Sequence, residues 1–187
     1  MHKIHKFYYF INEFNSREIN KIDPKISLIY REYNKKINTK SLNDFKNFCF
    51  KQKRELFISN NIKLALKLQL SGVYIPSFNN LLNLKNLSKN KNFKIIGSAH
   101  NICQLKNKEL QGCEEIFITP LFPTKKNNYF LGINKFNIIS KETSKKVISL
   151  GGITKNNFSK LKMGNIKGIA SISWIKKNRP KNIGRFL

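Results

Sequence analysis

The amino-acid sequence predicts an α/β fold, a compact single-domain (β/α)8 TIM barrel over residues 1–187. Two observations carry this prediction. Short apolar or aromatic runs alternate with segments of helical spacing, which indicates a parallel sheet covered by helices. The runs are eight in number, which favours closure of the sheet into a barrel. The alternative is a doubly wound open sheet, but no Gly-rich dinucleotide-binding fingerprint follows the first run.

The first half of the chain contains four of the predicted strands. The first strand is aromatic and β-prone. Ser16 is the candidate N-cap of the short helix after it, and Pro24 closes that helix. Apolar side chains recur at roughly helical spacing after a Ser or Thr cap in the second helix. The predicted strands are Lys6–Asn12, Lys25–Tyr33, Glu55–Ser59 and Gly72–Ser77, and the predicted helices are Ser16–Ile22, Ser41–Lys53, Asn60–Leu70 and Asn80–Asn90.

The second half repeats the alternation. The predicted strands are Phe93–His100, Glu115–Phe122, Val147–Leu150 and Gly168–Ile172, and the predicted helices are Asn101–Gln111, Asn134–Thr143 and a segment between the last two strands. The polar loop 123–132 is the longest break in the pattern, and residues 176–187 form a short basic tail.

A glycine pair, Gly151–Gly152, stops the seventh strand. Without side chains in the way, backbone N–H groups of this turn can point into the space beyond the strand end. In (β/α)8 barrels a phosphate site often follows strands seven and eight. The sequence therefore predicts that this turn and the end of the eighth strand, at Ser173, bind a phosphate.

The chain is strongly basic, with a formal net charge of +26. Such a charge favours binding to nucleic acid or another polyanion. The alternative interpretation is compositional, because Lys, Asn and Ile are abundant throughout and the Lys residues are spread along the chain. We favour the compositional interpretation and expect no nucleic-acid partner.

Three cysteines, Cys49, Cys103 and Cys113, have no metal-ligand spacing. An odd number of thiols without such spacing is typical of reduced cysteines in the cytoplasm. No apolar run approaches the ~20 residues that a membrane span requires. The N-terminus lacks a long apolar segment and a small-residue cleavage site, so we interpret it as mature protein. We therefore expect a cytoplasmic protein without a membrane partner.

The residues at the predicted strand ends are polar or glycine. They are Asn12, Arg31, Ser59 with Asn60, Ser77, Ser98 with His100, Thr119 with Thr124, Gly151 with Gly152, and Ser173. In a (β/α)8 barrel these ends meet on one face, where function collects. Small polar groups with one Arg and one His favour an anionic, hydrogen-bonding ligand. The set contains no Asp or Glu, which argues against a divalent metal held by protein carboxylates.

Four segments between Tyr30 and Ile175 resemble the thiamine phosphate synthase and thiazole tautomerase superfamily of small (β/α)8 barrels. They are LALKLQLSGVYIPS, GSAHN, EIFITPLFPTKKNNYFLG and VISLGGITKNN followed by GIASIS. The resemblance implies that a hydroxymethylpyrimidine diphosphate and a thiazole phosphate are joined with release of diphosphate. The reaction is dissociative, so the protein supplies positioning and charge stabilisation.

The resemblance also implies ligand roles for individual residues. The thiazole phosphate is expected at Thr124, Lys125, Lys126, Gly151, Gly152, Ile172 and Ser173, and the pyrimidine diphosphate at Arg31, Ser59, Ser98 and Asn127.

The sequence departs from the family's pattern at several of its functional positions. The synthases hold Mg²⁺ with two Asp, and Asn60 and Asn79 stand at those positions here, so a Mg²⁺ cofactor is placed in doubt. Tyr33 stands where a Lys follows the Arg. Asn127 aligns with the Lys after the loop threonine, although Lys126 could stand in for it.

The tautomerases use a His whose position is Pro120 in this chain. His100 is the candidate acid or base instead, and an ordinary hydrogen-bonded His at a strand end is the alternative.

Four functional hypotheses remain open. The leading one is a thiamine phosphate synthase. The others are a thiazole phosphate tautomerase using His100, a non-catalytic relative that binds a phosphorylated thiazole or thiamine phosphate, and a basic nucleic-acid-binding protein. The last predicts clustered Lys with interleaved exposed aromatics, whereas the aromatics have core-like spacing. Whether the chain forms a homo-oligomer is left open.

Overall fold

The computed structural model of the chain describes residues 4–33, 37–82, 84, 92–125 and 128–183. Eight parallel strands form a closed barrel in chain order. Closure is made by the pairing of the first strand with the eighth, with Lys6 opposite Gly168 and Tyr9 opposite Ser171. The predicted (β/α)8 barrel is therefore confirmed, and the open sheet is wrong.

The strands are β1 (Lys6–Ile11), β2 (Ser27–Tyr30), β3 (Leu56–Ser59), β4 (Gly72–Ile75), β5 (Lys94–Ala99), β6 (Glu115–Ile118), β7 (Lys146–Leu150) and β8 (Gly168–Ser171). The helices are α1 (Ser16–Ile19), α2 (Thr39–Lys51), α3 (Ile62–Lys67), α4 (Ile102–Leu110), α5 (Gly132–Lys141) and α6 (Ser173–Asn178). A 3-10 helix, Phe158–Met163, connects β7 to β8. No helix among the described residues is long and apolar enough to cross a membrane.

Most predicted strands were too long, for local reasons. Asp23 accepts a hydrogen bond from the Lys25 N–H at 2.8 Å, which holds Lys25 in a turn before β2. Pro120 has no N–H to donate, and β6 ends at Ile118 rather than at Phe122.

The predicted caps of the first two helices were also wrong. Asn15 and Asn38 cap α1 and α2, one and three residues before the predicted starts. The side-chain oxygen of Asn can satisfy a free helical N–H as well as Ser can.

Two predicted helices differ from the structure. The segment after β7 is a 3-10 helix, Phe158–Met163, and in the turn before it the Asn157 side chain accepts the Thr154 N–H and donates to the Gly152 carbonyl. In the predicted helix Asn80–Asn90, residues 80–82 and 84 are not helical, and the remaining positions lie outside the described residues.

The predicted basic tail 176–187 begins inside α6. Its described part folds back on the barrel, since the Asp23 N–H donates to the Pro180 carbonyl and Ile183 is buried.

The barrel interior is filled mainly by aromatic rings. Tyr8, Phe57, Tyr74 and Phe117 are buried there, and Phe10 forms the upper layer near the carboxyl ends of the strands. Their rings meet edge to face, for example Phe10 and Tyr74 at 5.1 Å between centroids. A second apolar layer lies between the outer face of the sheet and the helices. The interior is thus a packed core, which leaves the rim for ligands.

The amino-terminal end of the barrel is closed by a polar network around Glu55. Its carboxylate accepts hydrogen bonds from Lys6, from Lys94 at 2.6 Å and from the Ser27 hydroxyl at 2.7 Å. These partners begin β1, β5 and β2, so one carboxylate ties three strands to the start of β3. Burial alone would raise the pKa of Glu55, but the hydrogen bonds from Lys6 and Lys94 outweigh it and lower the pKa to about 2.

We predict that Glu55→Gln destabilises the barrel by ~2 kcal/mol at neutral pH. A depressed carboxyl pKa stabilises the fold above the unfolded value of ~4.3, and this stabilisation is lost as the pH falls towards about 2. Urea unfolding at pH 7 and at pH 3 should therefore show a smaller difference between variant and wild type at the lower pH.

Glu18→Gln is the matched control. Glu18 also contacts two cations, Lys21 at 2.9 Å and Arg179 at 2.8 Å, but on the exposed surface, where ion pairs stabilise little. Equal losses of stability in the two variants would contradict the role given to the half-buried network around Glu55.

Candidate functional site

The candidate site is the mouth of the barrel, meaning the carboxyl-terminal rim formed by residues 12, 31, 59–60, 76–79, 98–100, 119–125, 151–152 and 172–173. All predicted site residues in the described part of the chain lie on this rim. Two of them, Lys126 and Asn127, lie outside the described residues.

The glycine turn after β7 is held tightly against the loop that follows β6. Gly151 and Gly152 have φ values of +96° and +67°, which side-chain-bearing residues rarely adopt. A Cβ on Gly152 would overlap the carbonyl oxygens of Phe122 and Pro123. The Leu121 N–H donates to the Leu150 carbonyl at 2.9 Å and the Phe122 N–H to the Gly151 carbonyl at 3.2 Å. The β6 loop and this turn therefore form one fixed backbone unit.

The end of β8 lies beside this turn. Leu150 is opposite Ala170 in the β7–β8 ladder, so Gly152 and Ser173 are two and three residues beyond an aligned pair. Ser171 accepts a hydrogen bond from the Trp174 N–H at 3.2 Å, and α6 begins at Ser173. Ile172 and Ser173 are exposed at the rim. The adjacency on which the predicted phosphate site depends is present.

The β6 loop places Thr124 and Lys125 on the same side of the mouth. Thr124 is half-buried and Lys125 is exposed. Together with the glycine turn and the end of β8, they form a rim of backbone amides, a hydroxyl and a cation.

The opposite side of the mouth is formed by the ends of β2 to β5. The Arg31 guanidinium lies over the Phe10 ring, 5.5 Å from its centroid. Among the described residues, no carboxylate forms a salt bridge with Arg31. Ser98 is buried and hydrogen-bonds the hydroxyl of Tyr74, whose pKa burial raises. This side of the mouth thus carries a guanidinium without a salt bridge to any described carboxylate and, separated from it by β3 and β4 along the sheet, a serine hydroxyl, and both groups suit an anion.

Tyr33, at the position where the resemblance leads us to expect a Lys, contacts Ser59. Its hydroxyl lies 2.7 Å from the Ser59 hydroxyl, and its ring packs edge to face on Phe78 at 6.0 Å. A phenol hydrogen-bonded to a serine therefore occupies this point of the rim. The pairing with Ser59 depends on the barrel geometry and was not predicted from the sequence.

Asn60 and Asn79 meet at the ends of β3 and β4. The Asn79 Nδ2 donates to Asn60 Oδ1 at 2.6 Å, and Asn79 Oδ1 accepts the Leu81 N–H at 2.9 Å. Asn60 has φ +58°, a left-handed conformation that Asn tolerates well. No group of three or more His, Cys, Asp or Glu that could hold a metal ion occurs in the described part of the chain. The pair therefore offers a divalent cation amide oxygens without charge, whereas a Mg²⁺ site usually includes one or two carboxylates.

A buried pair of polar side chains beneath Asn79, Lys108 and Gln111, was not predicted from the sequence; we call it the Lys108–Gln111 bracket. The Lys108 Nζ donates to the Asn79 carbonyl and to Gln111 Oε1, both at 2.7 Å. The Gln111 Nε2 donates to the carbonyls of Asn79 and Leu81 at 2.8 and 2.9 Å. Burial lowers the pKa of Lys108 to about 8, and nearby Cys113 opposes this shift. The sequence contained one signal for it, a three-residue spacing along one helix face. That face begins with apolar side chains and ends with polar ones, at Ile102, Leu105, Lys108 and Gln111.

His100 sits beside the mouth with one ring nitrogen engaged. Its Nδ1 lies 2.7 Å from the Thr119 carbonyl, and its backbone N–H donates to Gln104 Oε1 at 2.8 Å. The residue lines an apolar groove of about 420 Å³ between α4 and α5, with Ile102, Tyr129 and Lys135 among its walls. His100 is therefore exposed on the outer side of the rim, and its predicted catalytic role stays a prediction.

We predict that Gly152→Ala destabilises the protein by at least ~2 kcal/mol more than Gly132→Ala. The two glycines have nearly the same φ, +67° and +69°, so the conformational penalty is shared. Only at Gly152 would the new Cβ collide with backbone, since at Gly132 the nearest atom is on Phe130 at 3.9 Å. Chemical denaturation of both variants measures the difference, and equal losses would contradict the tight contact between the turn and the β6 loop.

A family model described as thiamine monophosphate synthase matches residues 24–175. A thiamine-phosphate synthase of Prochlorococcus marinus subsp. pastoris is 32% identical over 148 residues, which cover 77% of this chain and 42% of that protein. One of Clostridium tetani is 30% identical over 141 residues, which cover 71% of this chain and 64% of that protein. The chain thus spans less than two thirds of the length of these curated relatives.

A solved structure, a thiamine phosphate pyrophosphorylase from Pyrococcus furiosus, has the same fold. It matches with a TM-score of 0.75 and 18% identity, covering 97% of this chain and 94% of that chain. The resemblance seen in the sequence is confirmed by the family model, which matches most of the barrel. The chain belongs to the thiamine monophosphate synthase family.

Proposed function

We propose that the protein is a thiamine phosphate synthase. It joins a hydroxymethylpyrimidine diphosphate to a thiazole phosphate and releases diphosphate. The observation that carries the proposal is that the mouth has two sides with groups that suit an anion, the glycine turn beside the end of β8 and the side with Arg31 and Ser98 across from it. A two-substrate reaction between two phosphorylated compounds needs such a pair of sites.

The thiazole phosphate binds at the glycine-turn side. Backbone N–H groups at Gly152 and Ser173, the Thr124 hydroxyl and the Lys125 ammonium are the donors offered there. Because the β6 loop and the turn are hydrogen-bonded to each other, the donors are held in place before the ligand arrives. Preorganised donors hold the phosphate and so fix the position of the thiazole nitrogen.

The pyrimidine diphosphate binds at the opposite side, with its leaving group near Arg31 and Ser98. The bond between the pyrimidine methylene carbon and the diphosphate oxygen breaks, and the diphosphate leaves with the electron pair. The thiazole nitrogen then donates its lone pair to the electron-poor carbon and forms the new C–N bond. Arg31 stabilises the charge that develops on the leaving diphosphate, and the aromatic layer beneath keeps water from the cationic carbon.

We favour this reaction over thiazole tautomerisation because of His100. Its Nδ1 is engaged by the Thr119 carbonyl, and its ring lines the groove on the outer side of the rim. The proposal further includes a small phosphorylated heterocycle as the partner and the cytoplasmic location expected from the sequence.

Purified protein incubated with both substrates should form thiamine phosphate, measured after oxidation to the fluorescent thiochrome. Arg31→Gln should lower kcat/KM for the pyrimidine diphosphate roughly 10- to 100-fold, because a charged hydrogen bond to the leaving group is lost. Arg17→Gln removes an exposed Arg from α1 and should leave the activity unchanged.

Product formation that never exceeds background, with or without Mg²⁺, would contradict the synthase. If thiazole phosphate still raised the melting temperature in that case, the result would favour the non-catalytic relative.

A further inference from the structure

We infer that this mouth binds its diphosphate without a divalent cation held by the protein. Asn60 and Arg31 bind the anion directly. Lys108 and Gln111 are positioning residues that hold the Asn79 backbone. The inference rests on the proposed function for the identity of the anion. It concerns the place where the family's carboxylate pair is replaced by Asn60 and Asn79.

Both side-chain oxygens of the amide pair, which a cation would need as ligands, already accept a hydrogen bond. Asn60 Oδ1 accepts the Asn79 Nδ2 at 2.6 Å, and Asn79 Oδ1 accepts the Leu81 N–H at 2.9 Å. The Leu81 N–H can only donate, so it fixes which end of the Asn79 amide is oxygen and which is nitrogen. A cation between the two side chains would face an N–H group on one side.

Hydrogen bonds from Lys108 and Gln111 also hold the backbone of Asn79 in place. Its backbone carbonyl accepts hydrogen bonds from Lys108 and Gln111, and the Gln111 Nε2 also reaches the Leu81 carbonyl. Both ends of the Asn79–Leu81 turn are therefore hydrogen-bonded to the end of α4 or to the Gln111 cap that follows it. Rotation of the Asn79 amide to present its oxygen would break the bond to the Leu81 N–H.

The charges at this part of the mouth also disfavour a cation. Two Asp and one divalent cation carry no net charge together, and neither do two Asn alone. Replacing two carboxylates by two amides therefore leaves the protein's own charge at this point as a carboxylate pair with its cation would have it, and removes the charges that would attract the cation. In addition, the fully buried Lys108 has no carboxylate partner among the described residues, and its ammonium is one hydrogen bond away from Asn79. A divalent cation at the amide pair would be repelled by it.

The rim offers the anion hydrogen-bond donors in place of a cation. Asn60 is exposed at the rim, and in the described structure its own Nδ2 group has no hydrogen-bond acceptor. Arg31, on the neighbouring strand end, has no carboxylate partner there either. An amide N–H and a guanidinium can thus bind phosphate oxygens directly, where a metal ion would otherwise bridge them.

The direct test measures Mn²⁺ binding to the full chain by electron paramagnetic resonance, with Mn²⁺ as the probe for divalent cations. We expect the signal of free Mn²⁺ to be unchanged by the wild-type protein. In a parallel melting experiment with EDTA, inorganic diphosphate should raise the melting temperature. Stoichiometric Mn²⁺ binding by the wild type, or a diphosphate effect that requires Mg²⁺, would overturn the inference.

Asn60→Asp/Asn79→Asp provides the complementary variant. It should gain a Mn²⁺ site and lose most of the melting-temperature rise that diphosphate produces in EDTA. Asn61→Asp/Asn101→Asp is the matched control, since it adds the same two charges at helix N-caps on the same end of the barrel, where Asp caps as well as Asn. It should gain no Mn²⁺ site. If the control gained Mn²⁺ binding as strongly, the assignment of the amide pair to the metal's position would be wrong.

Failure of this inference and failure of the proposed function are distinguishable. Thiamine phosphate formed only with Mg²⁺ would support the synthase and overturn the metal-free mouth. No product under either condition would overturn the synthase, and the Mn²⁺ measurement would still decide whether the amide pair holds a metal.

Discussion

The parallel pairing of β1 with β8 is the constraint on which the rest of the structure depends. It closes the sheet, and because all eight strands run in the same direction, it brings all their carboxyl ends to one rim. Residues as distant in the chain as Arg31 and Ser173 then share a single mouth. Without closure, the ends of β2 and β8 would lie at different places along an open sheet, and the two sides proposed to bind anions would not face a common space.

The two ends of the barrel use charge in different ways. At the amino-terminal end, Glu55 is surrounded by Lys6 and Lys94, so its charge is neutralised and serves stability. At the mouth, Arg31 and the exposed Lys125 have no such carboxylate partner in the described structure, which leaves their charge available to a ligand. The excess of basic residues over acidic ones makes this possible, because few carboxylates remain to pair with the cations of the mouth.

Much of this could be predicted from the sequence. The alternation of strands and helices gave the barrel, and the Gly151–Gly152 pair marked the turn whose positive φ values excluded side chains. Cap identities were mispredicted because Asn caps a helix as well as the neighbouring Ser and Thr can, and the structure has Asn15 and Asn38 accepting the N–H groups of Glu18 and Ser41. The Lys108–Gln111 bracket was missed because its partners are distant in the chain. These partners, the carbonyls of Asn79 and Leu81, are about 30 residues away and are brought close by the β4–β5 pairing. The hydrogen bond between Asn60 and Asn79 likewise depends on the neighbouring ends of β3 and β4.

The central claim is that one mouth holds a phosphate and a diphosphate on opposite sides. A crystal structure of the protein grown with thiamine phosphate and inorganic diphosphate tests it most directly. The account predicts the phosphate of thiamine phosphate against the backbone N–H groups of Gly152 and Ser173, with the diphosphate contacting Arg31. Density for either ligand in the groove between α4 and α5, with an empty mouth, would contradict it.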